Sequence, residues 1–404
     1  MNIKVVAIGA AGGKAAINLI EKGVLSQDRI MILNSTLRDI PESYRHLATQ
    51  LSGGKGCGKE RELSKQLCLK SIKDETLAGL DSFVNPEDEL VIIVSSTAGG
   101  TGSGSAPIIA KYFRDIVDIA VQCFAFTGFE EDGRELQNTI EYFQEMSDEF
   151  TVEAISNKKF LEGSNKLKAE KAANDEFVRR VSILMGRGLI DSDQNIDETD
   201  LYKVATTEGY MTVLSTELAN VKNIDQFNKA ISLMLDEEKA LEVSEKSIKR
   251  LAAFINAPEK MYDFIDYNFT LVKERLGTPY EVFTHVQYNE DMPVGISFIA
   301  SGMKMPIEEV KDIYEKYKKE SEKVNKTKDS FFDFASELRG NQEDGMFNVS
   351  GRKQKSNKSK LDFLKEMSEE PIEEAPKEEP KKESPFKNTN VKQIKKDDFI
   401  KNNF

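Results

Sequence analysis

The run Ala98-Gly99-Gly100-Thr101-Gly102-Ser103-Gly104 limits what this chain can become more than any other feature. It follows Leu90-Val91-Ile92-Ile93-Val94, the kind of continuous apolar stretch that fills a parallel strand buried on both faces. It precedes Pro107-Ile108-Ile109-Ala110, which opens an amphipathic helical segment. Strand, glycine-rich turn and helix, in that order, aim bare backbone N–H groups at an anion, and phosphate is the ligand that suits them.

A second arrangement of this kind starts the chain. Asn2 to Ile8 reads as a strand, Gly9-Ala10-Ala11-Gly12-Gly13 as a turn, and Ala15 to Ile20 as a helix. It is not the dinucleotide fingerprint, because the third glycine of G-x-G-x-x-G has no counterpart and position 14 is Lys14. Nor is it G-x-x-x-x-G-K-[ST], because Ala15 follows Lys14. Either loop alone could open any nucleotide-binding sheet. Two of them can surround a di- or triphosphate from two sides. Ile30–Leu33, ending in Asn34-Ser35-Thr36, is a further strand, as are Leu90–Ser95, Ile119–Phe126 and Phe150–Ser156. The glycine cluster Gly53–Gly58 precedes a charged helix from Lys59 to about Ala78. This alternation predicts an α/β fold with a parallel, doubly wound, Rossmann-like sheet and ligands at the strand carboxyl ends.

Residues 165–190 read as one long central helix. From Leu201 to Lys326 the pattern predicts helical stretches at Asp225–Leu235 and Ser244–Phe254. Strands follow at Tyr280–Tyr288 and Val294–Ser301, then a charged helix from Met305 to at least Lys323. The expected organisation is a nucleotide-binding domain over 1–164 and a central helix with its following loop over 165–203. A smaller α+β domain occupies 204–338 and a tail 339–404. In the tail, Gly351–Lys360 is basic and polar and Glu366–Glu383 mixes Glu, Pro and Lys, so it reads as disordered. Apolar residues return in the closing run Val391–Phe404, which reads as a short binding motif; a terminus without a role is the alternative.

Composition narrows the function. The 404 residues suffice for two domains and a tail. Against 56 basic residues stand 69 acidic ones, a net charge of −13, which suits neither direct DNA binding nor an anionic membrane surface. No apolar run reaches about eighteen residues, so no transmembrane helix is expected. Met1-Asn2-Ile3-Lys4 enters a strand at once, leaving no room for a signal peptide. Cys57, Cys68 and Cys123 lack metal-ligand spacing and suit small buried side chains in a reducing cytoplasm. His46 and His285 are far apart, and nothing predicts a metal site or a histidine triad.

The 98–104 run resembles, at every position, the signature of the tubulin/FtsZ family of GTPases, and the order of features fits over roughly the first 210 residues. The resemblance implies GTP or GDP as ligand. Its phosphate contacts would be Gly9, Ala10, Ala11, Gly12, Gly13 and Lys14 in the first loop; Asn34, after the second strand, would also bind the nucleotide. Ala98, Gly99, Gly100, Thr101, Gly102, Ser103 and Gly104 would form the second loop. Ala11 stands where a glycine is usual and Lys14 near where relatives often carry Asn. Glu130 and Arg134 resemble a ribose-side pair, with an ordinary exposed ion pair as the alternative; Asn157 resembles the residue touching the base. Asp175 resembles the acid that reads guanine, where one carboxylate can accept both N1–H and the exocyclic amine. Mg2+ is implied, held mainly by the phosphates.

Asn195-Ile196-Asp197-Glu198-Thr199-Asp200 resembles the family's catalytic loop, Asn-x-Asp-x-x-Asp/Glu. Asp197 and Asp200 are three apart and would share a face at a helix start. The resemblance implies that this loop of one subunit, with Asn195, completes the nucleotide pocket of the next. Its carboxylates would orient and polarise the water that attacks the γ-phosphate. A lone chain is then a poor GTPase, and head-to-tail contacts build filaments.

Gly56-Cys57-Gly58-Lys59-Glu60-Arg61, the turn at Ala98–Gly100 and the charged helix after Met305 look more like the TubZ branch than FtsZ. That likeness implies a cytoplasmic filament in a bacterial host that segregates plasmid or phage DNA. Its partner would be a TubR-like adaptor on centromere DNA, contacted through the Lys-rich end Lys392–Lys401, with no membrane partner. The alternatives are an FtsZ-like division GTPase or a phage tubulin that positions replicating DNA. A dinucleotide-dependent oxidoreductase lacks its fingerprint and leaves Ala98–Gly104 unexplained.

Overall fold

The computed structural model describes residues 1–322, apart from 148, 193, 239–242 and 244, together with 395, 396 and 398–402. Its first half comprises β1 (Ile3–Ile8), α1 (Gly9–Glu21), β2 (Ile30–Asn34), β3 (Ala48–Gln50), α2 (Arg61–Lys73), α3 (Leu80–Phe83), β4 (Leu90–Ser96), α4 (Thr101–Tyr112), β5 (Ala120–Thr127), α5 (Gly133–Met146) and β6 (Thr151–Ser156). There follow α6 (Lys166–Leu184), α7 (Glu198–Ala205), β7 (Gly209–Glu217), α8 (Ile224–Asp236), β8 (Arg250–Asn256), α9 (Thr270–Leu276), β9 (Glu281–Gln287) and β10 (Gly295–Met303). Residues 307–322 are helical. Most of the expected tail, 339–404, lies outside the described residues.

The strands form one sheet in the order β3-β2-β1-β4-β5-β6-β7-β10-β8-β9. Every pair from β3 to β7 is parallel. Beyond that point the sheet is mixed: β10 runs antiparallel to β7 and β8, and β9 parallel to β8. After β1 the chain moves outward through β2 and β3, then returns to place β4 on the other side of β1. This reversal makes the β1/β4 crevice a topological switch point, where doubly wound sheets bind ligands.

Both sheet faces are covered. On β1, Val5 and Ala7 pack with Ala15, Phe177 and Val181 from α1 and α6, while Val6 and Ile8 pack with Cys68 and Ile109 from α2 and α4. That two-sided burial is why β1 and β4 read as unbroken apolar runs. Cys57, Cys68 and Cys123 are buried free thiols, and burial pushes the Cys68 thiol up to about 12. Among the described residues no helix is long and apolar enough to cross a membrane.

The structure corrects several expected elements. Ser244–Phe254 was expected to be helical, yet Arg250–Asn256 is β8, hydrogen-bonded between β10 and β9. Its run Leu251-Ala252-Ala253-Phe254-Ile255 is buried throughout, and an unbroken apolar run carries no period that separates strand from helix. β7, α5 and α9 have no counterpart among the expected elements. The central helix ends at Leu184, not near residue 190, because Gly186 adopts φ +65° and Gly188 φ +83°. The N–H groups of Gly186 and Arg187 then turn back to the carbonyls of Ile183 and Ser182, a left-handed helix stop that favours glycine.

Candidate active site

β1 and β4 lie side by side, and each leads into a helix N-terminus: α1 at Gly9 and α4 at Thr101. The glycine-rich runs are thus largely first helical turns, with Ala15 and Pro107 well inside the helices expected to begin there. Glycine is a poor helix former; close packing requires it here. A Cβ on Gly102 would sit 2.9 Å from the Ser96 nitrogen, and one on Gly100 2.8 Å from Cys57 Cβ and 2.9 Å from the Glu60 nitrogen. On Gly12 and Gly104 it would run into the carbonyl oxygens of Val94 and Arg61. Gly9, at φ +79°, brings the two helix starts so close that its Cβ would lie 3.1 Å from the Gly102 nitrogen. Gly99 differs: a Cβ there meets nothing within 4 Å. Two sets of first-turn N–H groups, without intrahelical acceptors, and two positive dipole ends therefore converge on one crevice.

Side chains fix the crevice from behind. Buried Asn138, on α5, donates from Nδ2 to the carbonyls of Ala98 (3.1 Å), Gly99 (3.3 Å) and Lys59 (3.0 Å). Ser103 Oγ donates to the Gly99 carbonyl. With these carbonyls engaged by protein donors, N–H groups are what remain for a ligand. Thr101 Oγ1 shares a 2.7 Å hydrogen bond with Ser35 Oγ. Buried Asn34 accepts the Ser35 N–H on Oδ1 at 2.9 Å, while its Nδ2 is buried with no protein partner.

Next to the helix starts is a cavity of about 260 Å³. Ala10, Ala11 and Ala98 line its phosphate-suited end, Phe126 and Phe129 give flat apolar wall, and Asn157 and Asn174 supply amides. Its charged groups are paired: Lys14 Nζ lies 2.9 Å from Glu170, and Glu135 lies 2.9 Å from Lys59 Nζ, which also holds Asp132 at 2.6 Å. Burial works against the Lys59 charge, but Asp132 and Glu135 outweigh it and raise the ammonium above its usual range. Lys59 in turn holds the Asp132 carboxyl below its own. Lys14, expected to face phosphates, thus has a carboxylate competing for it.

Other sequence candidates stand beside the cavity instead of on its wall. Asp175 accepts from Asn18 Nδ2 at 3.1 Å and lies 3.9 Å from Lys22, while its neighbour Asn174 faces the cavity. Glu130 and Arg134 do not pair with each other: Glu130 pairs with Lys158, and Arg134 with Glu60. Gly13 packs near Ile32, 3.5 Å from where its Cβ would be. A larger cavity, about 340 Å³, lies between α6 and strands β7 to β10, lined by Arg179, Phe254 and His285, with none of the phosphate-suited glycines.

The acidic loop has its own local order. Asp197 is the N-cap of α7, accepting the Asp200 N–H at 2.8 Å, which satisfies a helix-start donor. Asp200 faces Lys203 at 3.7 Å. Asn195 closes a turn with Ser192, accepting its N–H at 2.9 Å and donating to its carbonyl at 2.7 Å. Asn195 and Asp197 are exposed, and none of Asn195, Asp197 and Asp200 lines the 260 Å³ cavity of the same chain.

Sequence reasoning passed over the residues that hold these parts. Buried His285 on β9 accepts the Ile196 N–H on Nδ1 at 3.4 Å, and its Nε2 lies 2.9 Å from Gln287 Oε1. Gln287 Oε1 also accepts from Ile190 N–H at 2.8 Å, and its Nε2 donates to the Gly188 carbonyl at 3.1 Å. One strand of the second half thereby anchors both ends of the segment leading to Asp197. Period-2 alternation in β9 was the available signal, since it puts His285 and Gln287 on one face. For Asn138 and Lys59 the available signal was Asp132-x-x-Glu135, a helix-start pattern that places α5.

Residues 2–165 match the Tubulin/FtsZ family, GTPase domain. The cell division protein FtsZ 2 of Pyrococcus furiosus is 25% identical over 332 residues, spanning 76% of this chain and 77% of its own. A GTPγS-form protofilament structure of TubZ from Bacillus thuringiensis serovar israelensis superposes with TM-score 0.66 at 16% identity, over 82% of this chain and 94% of that one. GTPγS-bound CetZ2 of Haloferax volcanii, also a protofilament, gives TM-score 0.65 at 19% identity, over 80% and 100%. The two structures establish the shared fold. The crevice and the fold define a nucleotide-binding α/β protein, and its residues 2–165 match the GTPase domain of the tubulin/FtsZ family.

Proposed function

We propose that the protein is a filament-forming GTPase whose hydrolytic site is shared between successive subunits. The observation that carries this reading is the separation, within one chain, of the glycine crevice from Asn195, Asp197 and Asp200. A head-to-tail neighbour would bring its acidic loop to the γ-phosphate, where the carboxylates orient and polarise the attacking water. The TubZ and CetZ2 structures of the same fold are a GTPγS-form and a GTPγS-bound protofilament, which supports the same arrangement here. GTP fits the residues present: converging helix N-termini, the open side of Gly99 and the unpartnered Asn34 amide suit the phosphates. Phe126, Phe129, Asn157 and Asn174 suit a nucleoside. Asp175 would read guanine by exchanging Asn18 for the base. Mg2+ would be held mainly by the phosphates and would offset their charge; among the described residues no cluster of three or more metal-ligating side chains occurs.

For cellular role, we favour segregation of plasmid or phage DNA through an adaptor that binds the C-terminal end. The support is the TubZ-like sequence at Gly56–Arg61 together with the 307–322 helix. That helix returns to the first half: Tyr314 and Tyr317 come within 3.3 and 3.2 Å of where a Gly133 Cβ would be. The similarity to FtsZ 2 keeps a division role as the second reading. The functional division proposed is nucleotide binding by 1–164, a hydrolytic segment at 165–203, assembly by 204–338 and partner binding by 339–404.

The test is phosphate release followed beside light scattering over a range of protein concentrations, with GTP, GDP and ATP. The expected result is turnover per chain that rises with concentration alongside scattering, with GTP only. Constant turnover per chain across that range contradicts a shared site. For the cellular role, deleting residues 341–404 should spare turnover and assembly but abolish adaptor capture; capture that survives the deletion contradicts tail recognition.

A further inference from the structure

The terminal segment read from sequence as a binding motif already has a seat on its own chain. Residues 395, 396 and 398–402 have helical backbone. Lys396, Phe399 and Ile400, at the i, i+3, i+4 spacing of one helix face, turn inward, while Lys395, Asp398, Lys401 and Asn402 are exposed. The Phe399 ring is 7% exposed and stands edge-on to Tyr112 with centroids 5.7 Å apart. Lys396 Nζ lies 2.5 Å from Asp81 Oδ2 and 5.7 Å from the Tyr112 ring centre. Tyr112 donates its hydroxyl to the other Asp81 oxygen at 2.7 Å. Asp81 is on α3 and Tyr112 on α4, and the helical chain continues beyond Tyr112 to Val117.

We infer that the Asp81–Tyr112 face is a docking site for this Lys-x-x-Phe-Ile segment, occupied in cis by the chain's own C-terminal end. The observations favour that occupant because the contact combines three kinds of recognition at helical spacing: an ion pair, an aromatic edge contact and an aliphatic side chain packed on the core. Between Lys319 and Lys392 the chain is long enough to reach this face at up to about 3.5 Å per residue. The consequence is competition. Lys396, Phe399 and Ile400 are turned inward while docked, so a partner that reads this face of the segment must displace it from Asp81 and Tyr112. The docking itself does not depend on the adaptor reading.

The test is fluorescence anisotropy of a labelled peptide of residues 391–404, titrated with the full chain in GDP. Wild-type chain should bind it weakly, because the tethered segment competes at high local concentration. Phe399→Ala chain, with its own segment disabled, should bind the wild-type peptide about tenfold more tightly or better. Adding Asp81→Lys to that chain should abolish binding, and a Lys396→Asp peptide should restore it, which also shows that the Asp81→Lys chain is folded. Equal binding by the wild-type and Phe399→Ala chains, or none by either, overturns the inference. So does a wild-type chain that is dimeric in GDP and becomes monomeric on Phe399→Ala, because the segment would then sit on a second copy. No adaptor or hydrolysis enters this assay, so its failure is separate from any failure of the proposed function.

Discussion

At the scale of single residues, the proposed chemistry rests on Asp200 and Asp175. Asp200 sits at the third position of α7, held by the Asp197 cap and half-exposed, so a neighbour's nucleotide can reach it. Asp200→Ala should leave GTP binding and assembly intact while slowing phosphate release by about a hundredfold, giving persistent filaments; turnover like wild type would remove Asp200 from the mechanism. Asp175→Ala should weaken the preference for GTP over ATP in competition binding. If Asn174→Ala weakens it and Asp175→Ala does not, the base is read by the residue that faces the cavity. Sequence singles out these residues by their order along the chain. Their partners were not: Asn18 for Asp175, Glu170 for Lys14 and Glu60 for Arg134 come from elements far away in the chain.

At the scale of elements, close approach is what the glycines secure. Gly100→Ala should lower stability by roughly 1–3 kcal/mol in chemical denaturation, as expected for overpacking, because its Cβ would press on Cys57 and the Glu60 backbone. Gly99→Ala meets nothing and should leave stability unchanged. The central helix supplies a pH-dependent contribution. Buried Arg180 is ion-paired with Glu153, with Glu176 at 2.6 Å and with Glu238 at 2.6 Å. Burial pushes the Glu153 carboxyl up to about 7 against the pull of Arg180. Between pH 4.5 and 7 the folded chain keeps a proton that the unfolded chain releases, so this group's contribution is full at low pH and lost as pH rises through 7. The stability of wild type relative to Glu153→Gln should therefore decline over that interval; a constant difference would contradict the assignment. Strands bearing one-sided or continuous apolar runs, such as β1, β4 and β5, were readable from sequence. β8 was misread because its unbroken apolar run carries no period and, unlike those of β1 and β4, leads into no glycine-rich turn; the helix starts were misplaced because packing overrides glycine's low propensity.

At the scale of the molecule, one sheet joins the crevice between β1 and β4 to β9, where His285 and Gln287 hold the acidic segment. His285→Ala should leave GTP binding unchanged but reduce turnover at saturating protein, since only the presentation of Asp197 and Asp200 depends on it. The parallel half was foreseeable from strand–helix alternation. The antiparallel insertion of β10 between β7 and β8 was not, because long-range pairing leaves no local mark. The central claim is a site built from two molecules, and the most direct measurement mixes two inactive chains. Gly99→Asp puts a carboxylate on the open side of the crevice, where it repels phosphate without disturbing packing; Asp200→Ala keeps the crevice but lacks the acid. Neither alone should release phosphate at the wild-type rate, and the mixture should recover turnover, because the acidic loop of the first completes the nucleotide site of the second. A mixture no more active than its parts, with co-assembly verified by scattering, would contradict a shared site.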